Sequence, residues 1–306
     1  MIYTITLNPS LDLISILDEL KLGRTQVAKN DSIRAGGRAI VVSQILNILD
    51  IPSTATGFVG GHTGEFIEEE LSHEGIAHQF VHIADNTRID VSIFDDNVET
   101  RILGRPTIVT IQEINDLMFY LSRIREGDYI ILAGSLPKNV SADLYNRMVD
   151  IAVVNGANFL PIIDSEYLPA LLPKKPLLIT PTVGELSEML EEDLRSQRDI
   201  LEAGLACIEK GAQNVIINQK LSGSLLITSD KKTYEATGPM KKIVSSTHTD
   251  MALAAGFIGD YMRINDPREA FKAAQATCNA THYFRSLPTI EGIQEEMDRV
   301  EVLPLN

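Results

Sequence analysis

The stretch IYTITLNPSLD, Ile2 to Asp12, joins a short β-rich run to a turn that carries an acid. Further β-rich runs follow at residues 53–60, 128–134, 159–164, 176–182 and 214–219. Helix-length amphipathic stretches lie between such runs at residues 40–50, 63–75, 111–125 and 142–156. This alternation is typical of stacked βα units and predicts an α/β fold around a mostly parallel sheet. The acid after the first strand would then stand at the carboxyl edge of the sheet, where α/β proteins bind ligands.

Two segments, residues 13–34 and 77–105, break this rhythm with alternating β-type residues and no helix between them. They predict an antiparallel accessory sheet inserted between βα units. A sheet placed there usually covers the carboxyl edge of the main sheet, so we interpret it as a lid over the ligand site. An exposed apolar face on such a sheet would also suit pairing of two subunits, which predicts a homodimer. Because the sequence shows no repeat and no linker-like tract, residues 1–306 are expected to form one domain.

The composition excludes several classes of function. The 27 Lys and Arg residues stand against 42 Asp and Glu residues, which gives a net charge of −15. This charge repels nucleic acid and anionic membranes, so an anionic substrate would be captured by local positive groups and backbone dipoles. Cys207 and Cys278 lack the spacing of a metal site or a disulfide framework, which fits a reducing cytoplasm. The sequence shows no signal-peptide pattern and no run of roughly 18 apolar residues, so we expect a cytoplasmic protein without membrane association.

Three motifs stand where a ligand could bind. LNPSLD places Asp12 where an acid could accept hydrogen bonds from substrate hydroxyls, although a turn with a helix cap explains it equally well. RAGGRAI places Gly36, Gly37 and Arg38 before a helix, where backbone amides could receive a hydroxyl-bearing or phosphorylated ligand. GSLP places Ser135 after another strand. The pattern GxxxxGK[ST] is absent from the sequence, which excludes a P-loop nucleotide site.

Arg88, in the NTRID stretch of the predicted lid, allows two interpretations. An arginine in an exposed lid strand is often a solvated edge charge that discourages pairing with another strand. Above a sugar-phosphate pocket, its guanidinium would instead bind a phosphate through two parallel hydrogen bonds. The sequence leaves both interpretations open.

The stretch SSTHTDMALAAGF, Ser245 to Phe257, has the pattern of a loop that delivers an anion to a helix amino terminus. Such loops are normally rich in glycine, because glycine lets backbone amides approach a phosphate closely. His248 and Thr249 stand here where glycines are expected. Asp250 is the candidate base, and an ordinary helix cap is its alternative interpretation.

The order of these motifs along nearly the whole chain resembles the ribokinase-like phosphofructokinase B family, and within it the tagatose-6-phosphate kinases and 1-phosphofructokinases. The resemblance rests on LNPSLD, AGGRAIVVS, GFVGG, TRIDVSI, GSLP, TPTVGEL and the loop before DMALAAGF. It implies a three-layer α/β/α sandwich with a β-lid. It also implies ATP, Mg²⁺ and transfer of the γ-phosphoryl group to a hydroxymethyl oxygen of a phosphorylated ketohexose.

The resemblance also assigns residues to the two substrates. On the sugar-phosphate side it places Asp12, Gly36, Gly37, Arg88 and Ser135, and the residues themselves add Arg38. On the nucleotide side we assign Asn218, Gly223, His248, Thr249 and Asn279. Glu185 is assigned to the metal, and Asp250 to proton removal from the attacking hydroxyl.

The chain departs from the family pattern at three sites. Val41 replaces the asparagine of GGKGINVS that contacts the sugar, and a lost partner for a substrate hydroxyl costs on the order of 1 to 3 kcal/mol. Thr180 and Thr182 replace the Lys and Asn of KPNxxEL, although Glu185 remains. Against the family's GxGD, an alignment without gaps places Met251 at the base position, and only a one-residue slip returns Asp250 to it.

Three functions follow from this pattern. The first is an active sugar-phosphate kinase with a remodelled loop, since phosphoryl transfer requires mainly positioning and charge stabilisation. The second is a kinase-fold protein that binds sugar phosphate or nucleotide as a regulator, without useful turnover. The third keeps the fold but has changed its acceptor.

Overall fold

The computed structural model describes residues 1–95, 98–284 and 287–305. Its strands are β1 (Ile2–Thr6), β2 (Ser10–Leu17), β3 (Asn30–Gly36), β4 (Ser53–Val59), β5 (Ala77–His82), β6 (Arg88–Asp95), β7 (Val98–Ile102), β8 (Tyr129–Ala133), β9 (Asn158–Ile162), β10 (Asn214–Asn218), β11 (Ser224–Thr228), β12 (Thr233–Ala236) and β13 (Val302–Pro304). Its α-helices are α1 (Arg38–Ile48), α2 (Gly61–His73), α3 (Ile111–Leu121), α4 (Asp143–Val154), α5 (Val183–Leu190), α6 (Gln197–Glu209), α7 (Thr249–Ile264), α8 (Pro267–Thr281) and α9 (Ile290–Arg299).

The main sheet has the strand order β5-β4-β1-β8-β9, and all of its pairs are parallel. An antiparallel sheet of order β10-β11-β12-β13 continues it. Residues 176–182, predicted as a strand, form an extended segment that bridges the two sheets. In this segment Leu177 N donates to Phe159 O at 2.9 Å, and Ile179 pairs with Val215 in parallel. The predicted run is therefore extended but is held by isolated bridges.

Helices cover both faces of the main sheet, as predicted for a three-layer sandwich. On one face, Ile131 and Ala133 of β8 belong to an apolar cluster with residues of α1, α7 and α8. On the other face, Ile130 and Leu132 belong to a cluster with residues of α3 and α4. None of the described helices is long and apolar enough to cross a membrane.

The lid is a third sheet, of order β3-β2-β6-β7. Two of its pairs are antiparallel, but β2 and β6 run parallel, so the sheet is mixed where an antiparallel one was predicted. Residues 77–82, predicted as part of the lid, instead form β5 at the edge of the main sheet. The misassignment has a physical reason, since an edge strand that is half exposed alternates in the same way as a lid strand. Residues 96 and 97 of the predicted lid lie outside the described residues.

The lid has one polar and one apolar face. On one face Asp12 stands opposite Arg34 on β3 and opposite Asp90 on β6. On the other, Leu13 stands opposite Ile33 and Val91. Successive side chains of a strand point to opposite faces, so the sequence alternation directs charge to one side of the lid and apolar groups to the other.

Candidate active site

A cavity of about 380 Å³ lies at the carboxyl edge of the main sheet, beneath the polar face of the lid. Its walls come from the ends of β1, β8 and β9, the start of α1, the lid and the start of α7. The lining residues are Thr6, Asn8, Ser10, Asp12, Gly37, Arg38, Val41, Arg88, Asp90, Arg101, Leu103, Gly134, Ser135, Asp164, Thr247, His248 and Met251. The structure thus brings together Asp12, Gly37, Arg38, Arg88 and Ser135 from the predicted sugar-phosphate side. We refer to this space as the acceptor cavity.

The glycine pair has a steric basis. A methyl group on Gly36 would lie 2.3 Å from Asp12 Oδ1, so Gly36 leaves the space that the carboxylate occupies. Gly37 precedes α1 with φ of 126°, in the left-handed region that favours glycine, and a methyl group there would lie 2.9 Å from Thr6 Cγ2. Both positions therefore require glycine, and together they open the amino terminus of α1 to the cavity.

Asp12 lies on β2 and is largely buried. Ser10 Oγ donates a hydrogen bond of 2.6 Å to Asp12 Oδ1. Burial raises the pKa of Asp12, while the hydrogen bond from Ser10 and the charge of Arg101 lower it. On the neighbouring strand end, Asn8 Nδ2 donates to Ser135 Oγ at 3.1 Å, which orients that hydroxyl. This wall offers both donors and acceptors to a ligand that carries hydroxyl groups.

Two lid arginines, not one, reach the cavity. Arg88 Nη1 lies 3.3 Å from Asp90 Oδ1, and Arg101 Nη2 lies 3.7 Å from Asp90 Oδ2 and 3.8 Å from Asp12 Oδ2. Arg88 Nε and Asp90 Oδ2 are buried without a hydrogen-bond partner in the described part of the chain. Sequence reasoning missed Arg101, although it alternates with Glu99 and Leu103 along one face of β7. The guanidinium groups retain donors that an oxyanion could use.

Arg38, the first residue of α1, pairs with Asp164. Arg38 Nη2 lies 3.1 Å from Asp164 Oδ1, and both side chains are partly exposed. Asp164 comes directly after β9, so it was detectable as an acid at a strand's carboxyl end, but sequence reasoning did not single it out. Arg38 lines both the acceptor cavity and a narrow adjoining crevice, which places a positive charge between the two.

The first turn of α7 divides its side chains between these two spaces. His248 precedes the helix in a left-handed conformation with φ of 69°. His248 and Met251 line the acceptor cavity, whereas Asp250 lines the crevice together with Thr180 and Glu185. Burial raises the pKa of Asp250, and Glu185 raises it further, while the charge of Arg38 lowers it.

His248 was predicted on the nucleotide side, but the structure brings it to the acceptor cavity. Burial, together with the charges of Arg101 and Arg34, lowers the pKa of His248 to about 4. The imidazole is therefore neutral near pH 7. A left-handed conformation costs a histidine free energy that glycine would not lose, which is typical of a position under functional constraint.

Of the other nucleotide-side residues, two are brought together. Asn218 Nδ2 donates to Thr249 Oγ1 at 3.3 Å, which ties the end of β10 to the start of α7. Gly223 has φ of 96°, and a methyl group there would lie 2.0 Å from Ala236 O. Asn279 is only 1% exposed. Its amide donates to Thr237 O at 3.1 Å and accepts from Gln275 Nε2 at 2.8 Å, so it holds α8 in place and does not reach the crevice.

Glu185, the third residue of α5, forms a capping box with Thr182. Its Oε2 accepts hydrogen bonds from Thr182 N at 2.8 Å and from Thr182 Oγ1 at 2.9 Å. Within the described residues, no group of three or more His, Cys, Asp or Glu side chains is arranged to hold a metal. Glu185 and Asp250 nevertheless share the crevice, and Mg²⁺ commonly binds through one or two carboxylates, water and substrate phosphates. These two side chains therefore fit a magnesium ion that arrives with a nucleotide.

The sequence pattern of the pfkB family carbohydrate kinases matches residues 6–281. A 1-phosphofructokinase of Bacillus subtilis is 31% identical over 305 residues, which cover 100% of both chains. A tagatose-6-phosphate kinase of Staphylococcus epidermidis is 28% identical over 282 residues, 90% of each chain. Among solved structures, phosphofructokinase-2 of Escherichia coli superposes with a TM-score of 0.92 over 97% of this chain and 98% of its own. Its sequence identity is 22%, so that likeness concerns the fold alone.

Proposed function

Because this chain belongs to the pfkB family of carbohydrate kinases, we propose that it transfers the γ-phosphoryl group of ATP to a phosphorylated ketohexose. The acceptor is tagatose 6-phosphate or fructose 1-phosphate, and the product is a sugar bisphosphate. One observation carries the proposal: Asp12, Gly37 and Arg88 meet in one cavity, which adjoins a crevice at the start of α7.

The acceptor would lie between the strand ends and the lid. Asp12 and Ser135 would bind its hydroxyl groups, and the amides at the start of α1 would bind oxygen atoms near Gly37. Arg88 would bind the phosphate that the acceptor already carries, since its guanidinium has donors available beneath the lid. Arg38, which lines both spaces, would neutralise charge on the phosphoryl group as it passes between them.

ATP would lie beside the crevice, against Asn218, Gly223 and Thr249. The amino terminus of α7 supports this placement, because free backbone amides and the helix dipole favour an anion there. Glu185 would hold Mg²⁺ together with the nucleotide phosphates. Bound Mg²⁺ neutralises the charge that develops on the β- and γ-phosphate oxygens.

Asp250 would take the proton from the attacking hydroxyl. It is the carboxylate at the start of α7, and burial raises its pKa, which makes it a stronger base than an exposed aspartate. The acceptor hydroxyl would then have to reach from the acceptor cavity to the crevice that Asp250 lines. Arg38 marks the place where the two spaces meet.

One observation favours a second candidate function. Met251, which the alignment without gaps places at the base position, lines the acceptor cavity and offers no group that accepts a proton. A protein of this kind would bind sugar phosphate or nucleotide as a regulator without useful turnover.

An ADP-release assay decides between the two. The protein is mixed with ATP, Mg²⁺ and either tagatose 6-phosphate or fructose 1-phosphate, and binding of the same compounds is followed by the shift in melting temperature. Turnover with either sugar phosphate supports the kinase. If ligands raise the melting temperature while ADP release stays at the sugar-free rate, the kinase proposal is wrong and the second candidate holds.

We further propose a cytoplasmic homodimer that pairs through the apolar face of the lid. Ile33, Ile89 and Ile102 on that face are 51%, 46% and 57% exposed. Paired lids would cover these side chains. Sedimentation at micromolar concentration tests this, and Ile33→Lys is expected to give a monomer. A wild-type monomer would show the proposal to be wrong.

A further inference from the structure

The lining of the acceptor cavity has polar and apolar parts. The strand ends and the lid contribute Asp12, Arg88, Arg101 and Ser135. Val41 of α1 and Met251 of α7 also line the cavity, and we call this pair the apolar wall. Both side chains are buried, at 5% and 6% exposure, and belong to the same apolar cluster. A ligand group that lies against this pair therefore meets hydrocarbon.

Arg38 and His248 line the same cavity and can each exchange hydrogen bonds with a ligand, so the apolar wall is confined to Val41 and Met251. From the lid, Leu103 adds a further apolar side chain to the cavity. A sugar hydroxyl directed at Val41 or Met251 would lose its water without gaining a partner from either side chain.

We propose that the preferred acceptor carries a C–H group, and not a hydroxyl, on the face that lies against Val41 and Met251. The ligand class is a deoxy sugar phosphate with the carbon frame of a phosphorylated ketohexose. This inference rests on the proposed function, because it assumes that the cavity binds a sugar phosphate. An apolar pocket rejects an added hydroxyl only modestly, so the expected preference is roughly 10- to 100-fold in Kd.

Titration calorimetry with matched ligands tests the preference. The probes are fructose 1-phosphate and its 3-deoxy, 4-deoxy and 3,4-dideoxy analogues, all of which keep the C6 hydroxymethyl group that would accept the phosphoryl group. At least one analogue is expected to bind about tenfold or more tightly than fructose 1-phosphate. Equal or tighter binding of fructose 1-phosphate than of every analogue would overturn the inference.

Val41→Asn tests the wall itself. Asparagine would offer a hydroxyl a partner, so the ratio of the two Kd values is expected to fall towards one. Val154→Asn is the matched control, because Val154 is 83% exposed and far from the cavity. If Val41→Asn fails to fold, Val41→Thr introduces a hydroxyl at nearly constant volume and is expected to shift the ratio in the same direction. An unchanged ratio in a folded Val41 variant would also overturn the inference.

The ADP-release assay on the same samples separates this inference from the proposed function. If an analogue binds more tightly but no compound is phosphorylated, the apolar wall is supported and the kinase proposal is wrong. If fructose 1-phosphate is phosphorylated but no analogue binds more tightly, the kinase proposal is supported and the apolar wall is wrong. Absence of binding by all four compounds would overturn both.

Discussion

Asp250 and Met251 are neighbours in the first turn of α7, yet they face different spaces: Met251 lines the acceptor cavity, and Asp250 lines the crevice that it shares with Glu185. Consecutive residues of a helix point about 100° apart, so a helix start can present only one of the two to a given ligand group. The register of this turn therefore decides which side chain meets the acceptor hydroxyl.

Asp250→Asn is expected to lower turnover by two or more orders of magnitude, which is the range for loss of a general base. Its melting temperature near pH 7 should hardly change. The folded environment raises the pKa of Asp250, so it disfavours the charged form, and removing that charge does not destabilise the fold. Steady-state kinetics measures the change in turnover, and a melting curve on the same sample measures the change in melting temperature. Turnover equal to that of the wild type would show that Asp250 is not the base.

Met251→Asp tests the second candidate function. If the wild type shows no turnover, this variant is expected to gain it, because it adds a carboxylate to the wall of the acceptor cavity. If Asp250 is the base, the variant should bring no gain. Its melting temperature should fall, since a charge would be introduced at a site that is 6% exposed. Met251→Asn is the matched control, because it has nearly the same shape but cannot take a proton at neutral pH. If the folded Asp variant is no faster than the Asn variant, the acceptor hydroxyl does not lie against this position.

Arg88→Ala is expected to weaken sugar-phosphate binding about 10- to 150-fold, which corresponds to roughly 1.5 to 3 kcal/mol for a charge-assisted hydrogen bond. ATP binding should be unchanged. Calorimetry with each ligand measures the two affinities. Because Asp90 is buried beside Arg88, the double variant Arg88→Ala/Asp90→Asn guards against a stability loss from an unpaired carboxylate.

Arg105→Ala is the matched control for Arg88. It lies in the same region of the chain, but its guanidinium pairs with Asp85 at 2.7 Å and does not line the acceptor cavity. An equal loss of affinity in both variants would attribute the effect to the lid in general and contradict the assignment of Arg88.

Glu185→Gln is expected to raise the Mg²⁺ concentration for half-maximal velocity about tenfold or more, because a neutral amide is a poor ligand for a hard cation. Glutamine can still complete the capping box with Thr182, so the melting temperature should stay nearly constant. Velocity at a series of Mg²⁺ concentrations measures the effect, with Glu188→Gln in the same helix as control. Identical Mg²⁺ curves for the wild type and Glu185→Gln would exclude Glu185 from the metal site.

His248 is expected to make stability depend on pH. Its folded pKa is lowered from 6.5 to about 4, so the unfolded chain binds more protons between these values. Stability should therefore rise with pH across that window and be lost as pH falls, by up to roughly 3 kcal/mol at about 1.4 kcal/mol per pKa unit. Urea unfolding of the wild type and of His248→Asn, which tolerates the left-handed backbone, isolates this contribution. If the free energy of unfolding depends on pH in the same way in both proteins, the prediction is wrong. His62→Asn, which replaces an exposed histidine, serves as the control.

Local patterns were enough to predict an α/β fold around a mostly parallel sheet, and α1 to α4 overlap the predicted helical stretches. The error at β5 shows the limit of such patterns, because period-two alternation reports half-burial and does not identify the sheet that buries the strand. Arg101 was missed for a related reason, because it becomes recognisable only when strand pairing brings it near Asp12. Asp164 was detectable as an acid at the end of a predicted strand, but its partner Arg38 is distant in the sequence.

The first turn of α7, whose side chains line two different spaces, shows a second limit of prediction from sequence. The sequence left Asp250 and Met251 as alternatives for one position, since an alignment cannot say where a helix begins. The structure sets the start of α7 at Thr249, and that start determines which space each side chain lines. His248, with φ of 69°, precedes this start, and the assignment of the base to Asp250 stays a prediction that the variants above test.

The parallel pairing of β2 with β6 bears on the order in which the chain folds. Ser10 meets Arg88 only after β4, α2 and β5 have been placed between them, so this pairing closes a long loop. Contacts between residues far apart in sequence form slowly, because the entropy of loop closure is lost before the contact compensates for it. Refolding should therefore build the main sheet first and the lid afterwards. Under the proposed function, Asp12 of β2 and Arg88 of β6 both bind the sugar phosphate, so this affinity would be among the last properties that a newly made chain acquires.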